Sequence, residues 1–199
     1  MDKAINGEEK EEEECLKDIY QYNEINVLVK GFFLLDNDIK KLYNNLKSIH
    51  NNINIVILNA NIVFGIEHIF GILKIINEEI KRKEERGIKN FDVEFLLRIC
   101  YTSQISHAFQ LLSDNKTNDF ICILFSKSLS DIKKIYIDLK NYGEEDVSNS
   151  LIQISESKKL NILKLFFNKD LKDIGNLSII KDDLKFRNFL IERSAIVLK

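Results

Sequence analysis

The chain has no proline and no tryptophan, and only seven glycines and three cysteines among its 199 residues. An average composition would supply roughly ten prolines at this length. Their absence excludes polyproline recognition segments, proline-stiffened linkers and prolyl-isomerisation switches. No two glycines lie closer together than Gly65 and Gly71. Phosphate loops of the G-x-G-x-x-G or Walker kind need clustered glycines for close backbone approach, so neither can be built here. Cys15, Cys100 and Cys122 are odd in number and form no C-x-x-C, which predicts free thiols in a reducing compartment.

What is abundant is isoleucine and asparagine, 31 and 21 residues, a drift typical of AT-rich coding. Hydrophobic residues make up 45% and charged residues 30%, ordinary for one globular domain with one core. The net charge of −2 is unevenly spread. Residues 1–18 hold eight acids against three lysines, a balance of −5, so residues 19–199 carry +3. The run Glu8–Glu14 (EEKEEEE) is too charged to pack and predicts a disordered acidic tail over 1–18. No apolar h-region follows the N-terminus, and the longest uncharged run, Ser48–Ile66, contains five asparagines. A soluble, intracellular chain with no membrane segment is expected.

Residues 19–199 read as one α/β (α+β) domain, a small mixed sheet of about four strands packed with about seven helices. Strands are expected at Ile25–Leu35, Ile53–Leu58, Phe120–Phe125 and Leu151–Ile154, the last after a turn at Gly143–Asp146. Helical spacing marks Ile39–Ile49 behind the cap Asp36-Asn37-Asp38, and a long helix over Gly65–Arg86 that Gly87 would end. Shorter helices follow at Phe91–Cys100 behind Asn90, and at Gln104–Leu112 behind Ser103. The second half adds Ile132–Leu139 behind the capping box Ser128–Asp131, Leu160–Phe167, and Asp183–Leu198.

Catalysis needs titratable groups in matched roles. His50, His68 and His107 make no H-x-x-x-H or H-E-x-x-H pair, so local spacing supports no zinc site. Cys100 and His107 are a Cys–His couple seven residues apart, without any other feature of a nucleophile site. No catalytic residue, metal or cofactor is therefore assigned. The stretch Lys74–Arg98 holds seven basic and six acidic residues, which is no polybasic block for nonspecific duplex binding.

Three segments resemble one family. The run LNANIVFGIEHIFGI carries Asn59, Ala60, Val63 and His68. The run FDVEFLLRICYTSQISHAF carries Phe91, Glu94, Leu96, Arg98, Gln104, Ile105 and Ala108. The run LIERSAIVL carries Glu192, Arg193 and Ala195. In this order, over roughly residues 24–199, they resemble the TPRKB-like (PRPK-binding) accessory subunits of the KEOPS/EKC complex. Two positions depart from the family pattern. Its Ser-Gly pair after the arginine helix is Cys100-Tyr101 here, which predicts a differently built turn, and a glycine after the next helix is replaced near Ser113.

The resemblance implies a non-catalytic subunit that binds the PRPK-type kinase/ATPase of the complex, in cytoplasm or nucleus. It also implies help in recruiting tRNA by its 3′ CCA end for N6-threonylcarbamoyladenosine formation. Single-stranded RNA ends are held by cations on phosphates and by base contacts. Lys74, Lys81, Arg82, Arg98 and His68 are the candidates for that role, Arg98 having a rival partner in Glu94 four residues earlier. Phe109, Leu112, Ile191 and Ala195 are the candidates for the kinase interface. Two readings of other classes stay open: a small α/β enzyme using Cys100 or His68, and a free-standing RNA-binding module.

Overall fold

The computed structural model describes residues 18–36, 38–82, 90–113, 117–167 and 181–198. Among these, five strands form one antiparallel sheet: β1 (Ile19–Tyr22), β2 (Ile25–Leu34), β3 (Asn54–Asn59), β4 (Asp119–Ser126) and β5 (Gly143–Glu145). Its order is β1-β2-β4-β3, with β5 pairing the far end of β2. Seven helices pack with it: α1 (Ile39–Ile49), α2 (Ile66–Arg82), α3 (Phe91–Ile99), α4 (Ile105–Ser113), α5 (Leu129–Leu139), α6 (Glu156–Phe167) and α7 (Asp183–Ile196). The α+β class is the one expected. The acidic tail, save Asp18, and the helix end at Gly87 lie outside the described residues.

Three of the four expected strands form, and the differences have local causes. Leu151–Ile154 is no strand, because its amides are taken by turns: Leu151 N–H donates to Asp146 Oδ2 at 2.6 Å, and Ile152 N–H to Asn149 O. Two short strands join the sheet instead. β1 returns into β2 through a two-residue turn in which Asn23 adopts φ 55°, a conformation asparagine tolerates. β5 occupies the expected turn at 143, where a Cβ on Gly143 would lie 2.6 Å from Phe33 O. Only glycine lets the two backbones approach so closely.

Helix starts follow the chemistry of short polar side chains. Asp38 accepts from Lys41 N–H, Ser128 from Asp131 N–H and Asp182 from Lys185 N–H. Asn90 stands at the N-cap of α3 without a side-chain bond, and α4 begins at Ile105 with Gln104 N–H on Thr102 Oγ1 rather than on Ser103.

The main core lies between sheet and helices, with Leu28, Ile55, Leu58, Ile121, Ile123 and Leu124 of the strands essentially inaccessible. α1 and α3 lean on β3, and α5 leans on β4 and β2. A satellite cluster of Phe64, Ile162, Leu163, Phe167, Phe186 and Leu190 joins α6 and α7 to the entrance of α2. One charge is buried in the sheet itself. Lys30 on β2 lies 2.5 Å from both Asp18 and Glu145, tying β1 and β5 to their common neighbour. Burial alone would lower its ammonium, but the hydrogen bonds from Asp18 and Glu145 outweigh that and leave it raised.

Candidate functional site

The C-terminal helix meets the long helix at a single small residue. A Cβ on Gly71 of α2 would lie 2.3 Å from Ile191 Cδ1 and 2.6 Å from Cγ1, so the gap left by glycine is filled by the Ile191 side chain. Beside this contact the two helices line a groove of about 410 Å³. Its floor is Gly71, Ile75, Ile191 and Ala195, and its rim is Lys74, Glu78, Glu79 and Arg82. The α2 positions fall at spacings of three and four, one continuous helical stripe.

Beneath the groove Arg98 of α3 is fully buried. Its Nη1 donates to Ser194 O of α7 at 2.9 Å, its Nη2 to Glu79 Oε2 at 2.7 Å and to Glu94 Oε1 at 2.8 Å, and its Nε to the same Glu94 oxygen at 3.1 Å. One planar guanidinium thus holds three helices at once. This is the geometry in which arginine outperforms lysine.

His68 lies in the first turn of α2 and has no exposed surface. Its Nδ1 accepts from Phe64 N–H at 3.3 Å, which leaves Nε2 as the protonated nitrogen, 3.0 Å from Tyr101 Oη. The two rings are nearly parallel, 11° apart. Burial, with the Arg187 charge adding to it, lowers the imidazole to about 3, so it is neutral at every physiological pH. Tyr101 adopts φ 49°, the left-handed conformation that a glycine would take without cost. The turn at Cys100-Tyr101 thus has a glycine-like backbone under a tyrosine that is packed by Phe166 and Phe167 and bonded to His68.

The structure gathers some sequence-derived candidates and separates others. Lys74, Arg82, Ile191 and Ala195 line one groove. Lys81 is exposed beside it, 3.6 Å from Glu78. Arg98 and His68 are corrected as RNA contacts: both are buried with their donors committed to protein groups, because each sits on the inward face of its helix. Leu112 is corrected as a partner contact, being 2% exposed. Half-buried Phe109 lies with it away from the groove, between α4 and the helices α1 and α3, where its ring meets Tyr43 at 6.0 Å and both residues border a narrow cleft of about 20 Å³.

Gly71, Glu79 and Tyr101 were missed in the sequence. An isolated glycine within an apolar helical stripe is itself a packing signal, whereas nothing local marks Glu79 as a partner of Arg98.

The Cys–His couple does not assemble into a nucleophile. Burial pushes the Cys100 thiol up to about 12, away from the thiolate that reacts, and His107 Nδ1 lies on Thr102 Oγ1 at 3.3 Å. Among the described residues no three His, Cys, Asp or Glu side chains form a group able to hold a metal ion. Among them, too, no helix is long and apolar enough to cross a membrane. The groove offers aliphatic surface next to the exposed cations Lys74 and Arg82.

No known family model matches the chain. Over 115 residues, covering 53% of this chain, it is 31% identical to a Staphylococcus aureus (strain COL) protein named "77 kDa membrane protein". The similar segment takes in 16% of that protein's length.

Proposed function

We propose that this chain is a non-catalytic accessory subunit of a KEOPS/EKC-type assembly, docking on a PRPK-type kinase/ATPase and helping to hold tRNA for N6-threonylcarbamoyladenosine formation in cytoplasm or nucleus. One observation carries the reading. The three segments that resemble the family, far apart in sequence, are joined to one another in space. His68 of the first bonds Tyr101 of the second, and Arg98 of the second bonds Ser194 of the third. His68 and Arg98, the two of these four residues that match the family, thus act as structural ties between the segments. The groove formed where these segments converge then has the aliphatic floor and polar rim of a protein interface.

In this reading Ile75, Ile191 and Ala195 receive an apolar element of the kinase, while Lys74 and Arg82 meet tRNA phosphates. The test is co-expression with the cognate kinase. The two chains are expected to co-purify as a 1:1 complex that persists at micromolar concentration, and failure to associate overturns the reading. For the RNA part, tRNA trimmed of its CCA end should bind the complex more weakly than intact tRNA. Replacing both Lys74 and Arg82 by alanine should lower the slope of log affinity against log salt by about 1.4, two single-stranded phosphates' worth.

A further inference from the structure

We infer that the recess between β1, the entrance of α2 and the 149–154 turn binds a small organic cation, a guanidinium or primary ammonium group on a short apolar stem. The recess has a volume of about 320 Å³, at the low end of the range that holds small molecules. Asp18 and Tyr20, Val29 of β2, the start of α2 at Gly65 and the turn from Asn149 to Ile154 build it together. It shares no residue with the α2–α7 groove.

Its polar lining accepts hydrogen bonds and lacks positive charge. Asp18 and Glu67 line the recess, and no lysine, arginine or histidine does. Asp18 meets Lys30 through Oδ2 at 2.5 Å, and Glu67 meets Arg187 through Oε2 at 3.2 Å. A carboxylate offers about four acceptor sites, so each keeps capacity for a further donor. Glu145 shares Lys30 with Asp18, so three carboxylates stand against two cations, a balance of −1. Asn149, which also lines the recess, has its Oδ1 buried without a hydrogen-bond partner among the described residues. A buried acceptor in that state costs free energy that a ligand N–H recovers. An anion finds no partner in this lining, and a cation rich in N–H groups finds several.

The remaining surface suits a stem. Val29, Ile66, Ile152 and Ile154 form an aliphatic wall, and the Tyr20 ring, edge-on to Phe70 at 5.2 Å, adds an aromatic surface that attracts cations. The site is also preformed, which lowers the cost of ordering it on binding. The Asp146 carboxylate accepts from Leu151 N–H and Ser148 Oγ, each at 2.6 Å, and so fixes the turn that carries Asn149. Asn149 itself adopts φ 55°, a conformation asparagine tolerates.

Amide NMR titration of the full chain with butylguanidinium tests the site. The amides of Gly65, Glu67, Asn149 and Gln153 are expected to shift saturably, with a Kd of about 1 mM for so small a probe. Butyltrimethylammonium keeps the charge and the stem but has no N–H, and should bind at least about fivefold more weakly. Butyrate should leave these amides unmoved. Asn149→Gly keeps the left-handed backbone and removes the oxygen. It and Glu67→Gln should each weaken butylguanidinium at least about fivefold. An acetylated, amidated arginine presents the same head group as a protein would. Tighter binding of that probe than of butylguanidinium assigns the head group to a partner's side chain, and weaker binding assigns it to a free molecule. No saturable shift by about 50 mM, where a millimolar site is nearly full, overturns the inference. So does an equal response to butyrate or butyltrimethylammonium, or unchanged affinity in either variant. Because no kinase or tRNA is present, this result and the co-purification result fail independently.

Discussion

At the scale of single residues, the tightest dependency is between Tyr101 and His68. A left-handed tyrosine costs on the order of 1–2 kcal/mol, offset by its ring contacts and its bond to the imidazole. Tyr101→Phe keeps the strain and the packing but leaves Nε2–H unpaired in a buried site, so chemical denaturation should show a loss of about 1–3 kcal/mol. The neutral imidazole also ties stability to pH. Its folded value of about 3 lies below the unfolded 6.5, so between these limits the unfolded chain binds the extra proton. The contribution of His68 is full above pH 6.5 and is lost as pH falls, by about 1.4 kcal/mol per unit once well below 6.5. Urea midpoints at pH 7, 6 and 5 should fall more steeply for the native chain than for His68→Gln. Parallel curves would mean that His68 is protonated in the fold. The sequence singled out His68 only as a candidate RNA contact or, in the alternative reading, an enzyme residue, and did not show its buried structural role. Its place is set by Tyr101, a residue 33 positions away.

At the scale of elements, α2, α3 and α7 are held by a gap and a clamp. Gly71→Ala gains about 1 kcal/mol of helix propensity but must displace Ile191, an overpacking cost of about 1–3 kcal/mol. A net loss is expected, and Ile191→Ala in the same chain should abolish it, a coupling that a double-mutant cycle measures. Arg98→Ala removes the buried cation shared by Glu79, Glu94 and the Ser194 carbonyl and should cost about 3–5 kcal/mol. Arg98→Lys should recover only part, because an ammonium cannot bridge Glu94, Glu79 and Ser194 O together.

Most of these elements were readable from periodicity and caps. Asp38, Ser128 and the apolar stripe of α2 placed their helices to within a few residues. The failures share a cause: β1, β5 and the lost strand at 151–154 depend on partners distant in sequence. β5 exists because Gly143 admits Phe33, and Leu151–Ile154 is a turn because the Asp146 carboxylate takes the Leu151 amide. Alternation within four residues carries neither fact.

At the scale of the whole molecule, the candidate site was half legible. Charge and spacing singled out Lys74 and Arg82, and the terminal helix singled out Ile191 and Ala195. Only the packing of α7 on α2 shows that these are one surface. The same packing removed Arg98 and His68 from it, since inward and outward faces of a mixed helix are told apart by what covers them.

Calorimetric titration of the chain with a PRPK-type kinase tests the central claim most directly. The account predicts one kinase per chain with micromolar affinity or better. Ala195→Arg, which puts a long charged side chain into the groove floor, should weaken binding at least tenfold, about 1.4 kcal/mol. Lys40→Ala on α1 should leave it unchanged. Absence of binding at micromolar concentration, or binding indifferent to Ala195→Arg, would contradict it.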